Sequence, residues 1–381
     1  MTNKMKNVPE LRFPEFIEEW EEKRLGDLYK YQQGQQIPVE NQYKIQINNM
    51  KRFIRIVDVT ENPKKRYIKD RKESGLINQK DLIMIRYGAS AGTISMGYEG
   101  VIANNLFKFV KKQNVDNRYF YFLLKKSHFK IKSLSSQSAM PALNFNAMDT
   151  LKFSIPQYSE QQKIGSFFSK LDRQIELEEL KLAKLEEQKK GYMQKIFSQE
   201  LRFKDGSGNE YPEWEEVKLQ NIANIKKGEQ IKKENIDNNG KYYHLNGGTT
   251  ASSRTNLFNT NPFTISISEG GNSCGFIKMN KEYFFSGGHN YTLLDLSVSN
   301  FYLYAYLKYH EKKIMSLRVG SGLPNIQKKD ISNYLIKIPR KEEQEKIGSF
   351  FKNLDEFIEK QANKVELLKQ RKQSFLQKMF V

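Results

Sequence analysis

The sequence has few of the residues and motifs that mark an enzyme, a secreted protein or a membrane protein. Its 381 residues include one cysteine, Cys274, so no disulfide can form within the chain, which suits a reducing compartment. The four histidines are scattered without metal-ligand spacing, and no GxxxxGK(S/T) phosphate loop is present. No apolar run approaches the roughly 20 residues of a spanning helix, and the polar start MTNKMKNVPELRF lacks the pattern of a secretion signal. We therefore expect a cytoplasmic protein that neither binds a metal nor hydrolyses ATP by itself.

Two short features look like catalytic elements but lack the neighbours that the chemistry needs. Asn261-Pro262-Phe263 is a shortened form of the Asn-Pro-Pro-Phe/Tyr motif of amino-methyltransferases, without its second proline and without a glycine-rich cofactor motif. We interpret it as a loop that enters a strand. Cys274 has no nearby histidine in sequence to activate it as a nucleophile, which favours a packing role.

The positive charge of the chain is concentrated outside its helical stretches. Of the net charge of +19, residues 159–199 and 341–381 together contribute only +3, whereas residues 1–158 contribute +11 and residues 200–340 contribute +5. A basic surface of this kind is expected if these two blocks contact a polyanion, although a lysine-rich composition that serves solubility remains an alternative.

An internal duplication defines the organisation of the chain. EQQKIGSFFSKLD at residues 160–172 recurs as EQEKIGSFFKNLD at residues 343–355, an offset of 183 residues. GYMQKIF at residues 191–197 recurs as SFLQKMF at residues 374–380, and ELRF at residues 10–13 recurs at residues 200–203. The sequence therefore predicts a globular block at 1–158, a helix at 159–199, a second block at 200–340 and a second helix at 341–381.

Both predicted helices carry an apolar seam with alternating spacings of four and three residues. In each helix two polar residues interrupt the seam at equivalent places, Glu178 and Lys189 in the first and Gln361 and Lys372 in the second. Such a pattern predicts two equivalent helices packed on each other as a coiled coil, with the polar positions helping to set the register. The predicted interface residues are Ile164, Phe168, Leu171, Ile175, Leu182, Leu185, Tyr192, Ile196, Ile347, Phe351, Leu354, Ile358, Val365, Leu368, Phe375 and Met379.

Each globular block mixes short strand patterns with one helical pattern, which predicts an α+β fold. Strands are expected at residues 51–59, 81–86, 93–96 and 106–110, and at 263–267, 275–279 and 291–296; helices are expected at 117–126 and 300–310. The offset between the blocks is 194 residues at Gly34 and Gly228 but 183 at Gly88 and Gly271, so the second block lacks eleven residues between these points. We therefore expect two related but unequal domains.

Several polar segments of the two blocks have side chains suited to nucleic-acid contact. Arginine can pair with guanine and asparagine with adenine, while lysine, serine, threonine and backbone amides hold phosphates. The predicted DNA-binding residues of the first block are Lys64, Lys65, Arg66, Arg71, Lys72, Arg86, Ser90, Asn104, Asn105, Ser138 and Asn144. Those of the second block are Thr249, Thr250, Ser252, Ser253, Arg254, Asn272, Ser273, His289, Asn290, Ser321 and Asn325.

Taken together, these motifs resemble those of the specificity subunit of type I restriction–modification systems. The resemblance spans nearly the whole chain and rests on the paired blocks that open with LRFPEF and a tryptophan, the IPxxxEQxKIGxFFxxLD segments, and the helices that end in QKIF and QKMF. It implies two target-recognition domains that bind the two parts of a split, asymmetric DNA site, and long helices packed antiparallel, with pseudo-twofold symmetry, as a ruler for the gap. Half-sites about 10 bp apart are then expected.

The resemblance also implies partners and their cofactors. Two methylation subunits would bind the chain and motor-nuclease subunits would join for restriction, so adenine methylation, ATP hydrolysis and cleavage would belong to the partners. S-adenosylmethionine, ATP and Mg²⁺ are then expected on the partner subunits, and no cofactor or membrane on this chain. We expect the methylation subunit to bind the exposed faces and ends of the helices, near Phe167-Phe168, Phe350-Phe351 and the QKIF and QKMF ends.

Two functions of other classes remain as alternatives. A self-sufficient methyltransferase or nuclease would need a cofactor or metal motif, and none is visible. A structural coiled-coil adaptor that binds proteins through its basic blocks would not bind a DNA duplex sequence-selectively, with an affinity that falls steeply with salt.

Overall fold

The chain folds into two compact units, each with its own core. The computed structural model describes residues 7–61, 64–69, 74–135, 141–320, 322 and 324–381. The first unit holds the chain up to Glu178 together with Lys364–Val381, and the second unit holds Glu179–Asn363. Each unit therefore contains one globular block and a part of both long helices.

Among the residues that the structure describes, the first unit contains ten strands, with helices between and after them. The strands are β1 (Glu21–Arg24), β2 (Tyr29–Gln33), β3 (Lys51–Ile54), β4 (Arg66–Ile68), β5 (Leu76–Ile77), β6 (Ile83–Ile85), β7 (Ile94–Ser95), β8 (Gly100–Ile102), β9 (Leu106–Lys111) and β10 (Lys152–Ile155). The helices are α1 (Leu25–Leu28), α2 (Ile56–Thr60), α3 (Asn117–Lys126), α4 (His128–Lys132), α5 (Phe145–Asp149) and the 40-residue α6 (Tyr158–Phe197), which continues into the second unit. A 3₁₀ turn covers Val39–Asn41.

The second unit repeats this order with fewer elements. Its strands are β11 (Glu215–Lys218), β12 (Asn224–Lys227), β13 (Tyr242–Leu245), β14 (Ser253–Thr255), β15 (Thr264–Ser268), β16 (Ile277–Asn280), β17 (Phe284–Ser286), β18 (Asn290–Leu294) and β19 (Leu335–Ile338). Its helices are α7 (Asn300–Tyr309), α8 (Glu311–Met315), α9 (Lys328–Ser332) and the 38-residue α10 (Lys341–Lys378), which ends in the first unit; 3₁₀ turns cover Leu219–Asn221, Lys233–Asn235 and Gly271–Ser273.

The two units have matching sheets. An antiparallel sheet with the strand order β2-β9-β6-β7 in the first unit corresponds to β12-β18-β15-β16 in the second. A mixed sheet with the order β4-β3-β8-β5 corresponds to β14-β13-β17, each with one parallel pair, and the antiparallel pair β1-β10 corresponds to β11-β19. The predicted α+β class, with two repeated blocks and two long helices, is confirmed.

The missing eleven residues of the second block correspond to a local difference in the mixed sheet. In the first unit this region holds α2 and the additional edge strand β5, and neither has a counterpart among the described residues of the second unit. The prediction of one strand over residues 51–59 was wrong, because the chain turns into α2 after β3. Asp58 is buried there and accepts hydrogen bonds from the backbone N–H and side chain of Arg55 and from Arg52, which stabilises the first turn of the helix.

Within each unit the two long helices run antiparallel. In the first unit, ion pairs join Asp172 to Lys372 and Glu178 to Lys364; in the second unit, Lys189 pairs with Asp355 and Tyr192 packs against Phe350. The predicted seam residues are buried or half-buried, except Tyr192, which is 40% exposed. Three of the four polar interruptions of the seam are thus satisfied by ion pairs between the helices.

The end of each long helix is buried in the core next to the start of the other. Phe380, near the end of the chain, packs against Phe168 in the first core, and Phe197 stacks on Phe351 in the second. The side chains of Phe168, of Phe351 and of the last residues of QKIF and QKMF are therefore buried and not exposed at the helix ends, where the methylation subunit is predicted to bind. Phe167 and Phe350 remain half-buried.

Gly165 and Gly348 occupy equivalent positions where the long helices touch the globular blocks. A Cβ atom at Gly165 would lie 2.7 Å from the backbone nitrogen of Tyr119, and one at Gly348 would lie 2.8 Å from that of Tyr302. Both glycines are therefore required by close packing of α6 on α3 and of α10 on α7. Within the ranges that the structure describes, no helix is long and apolar enough to cross a membrane.

Candidate nucleic-acid interface

In the first unit, three of the sequence-predicted polar segments meet beside the end of β6. The backbone N–H of Arg86 donates to the carbonyl of Asn105 (2.8 Å), and the carbonyl of Arg86 accepts from the N–H of Leu143 (3.0 Å). Gly88, at the turn after Arg86, donates to the carbonyl of Pro141 (2.8 Å). The loop after β6, the turn before β9 and the segment before α5 thus form one cluster, which we call the first loop cluster (residues 86–90, 103–105 and 141–145).

The side chain of Arg86 lies at the centre of the first loop cluster. Its guanidinium carbon is 4.2 Å from the ring centre of Phe145 and 4.9 Å from that of Tyr87, and Nη1 donates to Oε1 of Gln33. Gln33 in turn donates from Nε2 to the carbonyl of Asn104 (2.7 Å). Aromatic faces attract the guanidinium cation, so these contacts fix its orientation.

The remaining predicted residues of the first cluster have local roles or are exposed. The side chain of Asn144 caps α5, because its Oδ1 accepts from the N–H of Asn146 (2.9 Å), and Asn144 is otherwise exposed. Asn105 is exposed, and Ser90 is half-buried at the turn that leads to β7. Ser138 lies outside the described residues.

The predicted basic segment of the first unit, residues 64–72, is not part of the first loop cluster, and its described part leads into the mixed sheet. Lys64 and Lys65 are exposed and lead into the edge strand β4, where Arg66 is half-buried. Among the described residues, no hydrogen bond or ion pair joins these three side chains to the first loop cluster. Arg71 and Lys72 lie outside the described residues.

The second unit contains an equivalent cluster with the same backbone hydrogen bonds. The N–H of Glu269 donates to the carbonyl of His289 (3.0 Å), its carbonyl accepts from the N–H of Ile326 (2.9 Å), and Gly271 donates to the carbonyl of Pro324 (2.9 Å). We call this the second loop cluster (residues 268–273, 287–290 and 324–326). It contains the predicted residues Asn272, which is exposed, Ser273 and Asn325, which are half-buried, and His289, which is exposed. Ser321 lies outside the described residues.

A glycine-containing loop is attached to the second cluster. Oδ1 of Asn246 accepts from the N–H of His289 (3.1 Å), and the N–H of Gly248 donates to Oγ of Ser268 (3.1 Å). Gly247 has φ +76°, and a Cβ atom there would lie 2.9 Å from the carbonyl oxygen of His289, so glycine is required. The predicted residues Thr249, Thr250 and Ser252 follow on this loop and are exposed.

Three other predicted residues of the second unit are occupied by contacts within the protein. Asn290 is buried and donates from Nδ2 to Oγ of Ser286 (3.1 Å), so its side chain holds the loop and is not available at the surface. Arg254 is exposed but donates to the carbonyls of Gly240 (2.6 Å) and Lys241 (2.7 Å), and Oγ of Ser253 is 2.9 Å from Nδ1 of His244.

The second cluster contains an ion pair that the sequence analysis did not identify. Nζ of Lys227 lies 2.5 Å from Oε1 of the buried Glu269, which also accepts from the hydroxyl of Tyr291 (2.9 Å). Burial and this hydrogen bond raise the pKa of Tyr291. The offset of 194 residues places Lys227 opposite Gln33, and the offset of 183 residues places Glu269 opposite Arg86, so a comparison of the two blocks residue by residue would have shown the exchange.

The candidate metal and catalytic residues of the chain were compared with the two clusters. Among the described residues, no group of three or more His, Cys, Asp or Glu side chains could hold a metal ion. Cys274 is buried, its Sγ donates to the carbonyl of Glu269 (3.1 Å), and burial raises its pKa, which keeps the thiol protonated. Phe263 leads directly into β15, as expected for a loop that enters a strand.

Comparison with known proteins gives matches over both units. The family model described as "Type I restriction modification DNA specificity domain" matches residues 17–187 and again residues 211–370. The type I restriction enzyme MjaVIII specificity subunit of Methanocaldococcus jannaschii is 22% identical, with 98% of this chain and 95% of that protein covered. The MjaIX specificity subunit of the same organism is 25% identical over 81% of this chain and 79% of that protein.

A solved structure has the same fold. The crystal structure of a type I restriction–modification system S subunit from M. genitalium matches with a TM-score of 0.75 and covers 98% of this chain and 99% of that chain. Its sequence is 19% identical, so this similarity concerns the fold.

Proposed function

The chain belongs to the type I restriction modification DNA specificity family, and we propose that it recognises a split, asymmetric DNA site, one half-site with each unit. The observation that carries this proposal is the pair of loop clusters. Each is built by the same three backbone hydrogen bonds, yet Arg86 stands in the first where Glu269 stands in the second. The same backbone arrangement with different side chains is what we expect of two related domains that recognise different DNA sequences.

The paired helices are proposed to set the gap between the half-sites. Ion pairs between α6 and α10 in each unit fix their register, and a 40-residue helix is about 60 Å long. Because half-site spacing follows from the separation of the recognition elements, we propose half-sites about one helical turn apart.

Methylation and cleavage are assigned in this proposal to partner subunits. The relatives are named specificity subunits of restriction enzymes. We propose that two methylation subunits bind this chain and carry S-adenosylmethionine, that motor-nuclease subunits carry ATP and Mg²⁺, and that the assembly acts on DNA in the cytoplasm. This chain then supplies sequence recognition and no catalytic group.

Selection of DNA by the purified protein tests the proposal. The chain, assembled with the methylation subunits of its own system, is incubated with random-sequence duplexes, and the bound fraction is sequenced after repeated rounds. We expect two short fixed blocks separated by an unconstrained gap of constant length, and an affinity that falls steeply as salt rises. A single continuous block would contradict recognition by two units. Binding without any sequence preference would favour the adaptor function.

A further inference from the structure

Arg86 and Glu269 occupy equivalent positions in the two units and carry opposite charges. The backbone N–H of Arg86 donates to the carbonyl of Asn105, just before β9, and that of Glu269 donates to the carbonyl of His289, just before β18. Each accepts with its carbonyl from the segment that follows, from Leu143 and from Ile326. The backbone therefore presents both side chains in the same local frame.

The residue opposite each side chain is exchanged as well. Arg86 donates to the neutral Gln33, and among the described residues no carboxylate lies within ion-pair distance of it. Glu269 is paired with Lys227 at 2.5 Å and with the hydroxyl of Tyr291 at 2.9 Å, and its side chain is only 6% exposed. Charge is therefore neutralised inside the second cluster, whereas the first cluster keeps a half-buried cation without an anionic partner.

The guanidinium group of Arg86 is held ready for a planar ligand. It lies over Phe145 at 4.2 Å and near Tyr87 at 4.9 Å, and Nη1 is held by Gln33, so its rotation is restricted before any ligand binds. Nη2 makes no hydrogen bond with a described residue. Nε is buried, so the edge formed by Nη1 and Nη2 is the part of this guanidinium that matches the two acceptors O6 and N7 that guanine presents in the major groove.

We propose that Arg86 reads a guanine in the half-site of the first unit, and that Glu269, locked by Lys227 and Tyr291, leaves the second unit without this contact. The inference rests on the proposed function, because it names a residue that determines the sequence of one half-site.

Methylation mapping of variants tests this inference. A methylation-free host expresses the methylation subunit of the system with the wild-type chain, Arg86→Gln or Arg86→Lys, and methylated adenines are located over the whole genome. Arg118→Gln is the matched control, because it removes the same charge from an arginine of the first unit that is paired with Asp116. We expect R86Q and R86K to accept other bases at one guanine position of one half-site, with the gap and the other half-site unchanged. Arg118→Gln keeps the wild-type motif.

The outcomes distinguish a failure of this inference from a failure of the proposed function. If the wild-type chain directs methylation to a split motif and both Arg86 variants leave that motif unchanged, the inference is overturned and the proposed function stands. A wild-type motif without a G·C base pair in either half-site also overturns it. If the wild-type chain directs no methylation, the proposed function itself fails.

A binding measurement covers the case in which the variants methylate too little to map. Purified complexes are titrated with four duplexes that differ only at the guanine position in question. We expect the wild type to prefer guanine by about 10- to 100-fold and both variants to lose that preference. Uniform weakening on all four duplexes, with the preference for guanine retained, would identify a phosphate contact and overturn the inference.

Discussion

Lys189 forms an ion pair with Asp355 in the second unit, and the equivalent residues Lys372 and Asp172 form the same pair in the first. Both lysines stand at the places where the apolar seam is interrupted. Their side chains are only 19% and 16% exposed, so the charges are partly removed from water and depend on their partners. The repeat therefore conserves an electrostatic lock between the long helices, once in each unit.

Reversing one charge of this lock should loosen the helix pair of the second unit. Lys189→Glu places a carboxylate beside Asp355, and we expect a loss of about 1–2 kcal/mol, which lowers Tm by several degrees. The double variant with Asp355→Lys should recover most of the loss, and Lys190→Glu, at an exposed neighbouring position, should have little effect. Equal melting temperatures for Lys189→Glu and Lys190→Glu would show that the lock contributes nothing.

Glu343 should be more important for stability than any exposed carboxylate of the same helix. It is fully buried, accepts from two nitrogens of Arg202 (3.2 and 2.7 Å) and accepts from Nε1 of Trp214 (3.2 Å). Arg202 has a raised pKa because of this hydrogen bond. Glu343→Gln leaves that guanidinium without its counter-charge, and we expect a loss of about 3–5 kcal/mol in the free energy of unfolding.

The matched control for this substitution is Glu342→Gln, because the neighbouring carboxylate is exposed. Urea unfolding followed by tryptophan fluorescence and circular dichroism measures both variants. The equivalent pair of Arg12 and Glu160 in the first unit predicts a similar loss for Glu160→Gln. A change below about 1 kcal/mol in Glu343→Gln would mean that the buried pair is not required for the fold.

His310 should make the second unit less stable as the pH falls below neutrality. Burial, followed by the charges of Lys313 and Lys337, lowers the pKa of His310 to about 4. The unfolded chain, with an ordinary histidine pKa near 6.5, then binds a proton that the folded chain does not. The contribution of the neutral His310 to the free energy of unfolding is therefore fully present above about pH 6.5 and decreases as the pH falls towards 4. Below about pH 4 the free energy of unfolding no longer changes with pH through this group.

The variant His310→Asn isolates this contribution. Melting temperatures of the wild type and the variant are compared between pH 4 and pH 7, where other groups titrate equally in both proteins. We expect the difference between them to shrink or reverse towards pH 4, because only the wild type loses stability through this ring. A constant difference over the whole range would exclude the lowered pKa.

Much of the architecture could be predicted because the chain repeats itself. The helix expected at residues 117–126 is observed at Asn117–Lys126, and the offset of 183 residues located its counterpart α7. The periodic seam located α6 and α10. The seam did not show that Met193 is buried while Tyr192 is 40% exposed, because a straight helix of 3.6 residues per turn drifts away from a strict heptad.

Other features could not be predicted because they depend on contacts distant in sequence. Burial of Phe380 against Phe168 joins positions more than two hundred residues apart, and an apolar residue at a helix end does not show which core receives it. The strand expected over residues 51–59 ends early because the buried Asp58 binds Arg52 and Arg55, and the strand pattern contained no sign of this. The two offsets of the repeat do show that Arg86 and Gln33 are replaced by Glu269 and Lys227, but they do not show that the two members of each pair are in contact.

Lengthening both helices should change the gap of the DNA site and leave its half-sites unaltered. Insertion of one heptad after Leu182 and another after the equivalent Val365 adds about 10 Å to the helix pair, which corresponds to about 3 bp of duplex. Selection from random-sequence duplexes by the assembled complex measures the result. The control inserts one heptad in α6 alone, which breaks the antiparallel register and should abolish a defined gap. Altered half-site sequences in the double insertion would contradict the ruler.

Genome-wide mapping of methylated adenine tests the central claim most directly. A methylation-free host expresses the methylation subunit of the system with or without this chain, and a third strain combines that subunit with a known specificity partner. The account predicts a split, asymmetric motif with a constant gap that is present only when this chain is present. If the third strain alone shows methylation, or if the motif does not depend on this chain, recognition of a split site by its two units is contradicted.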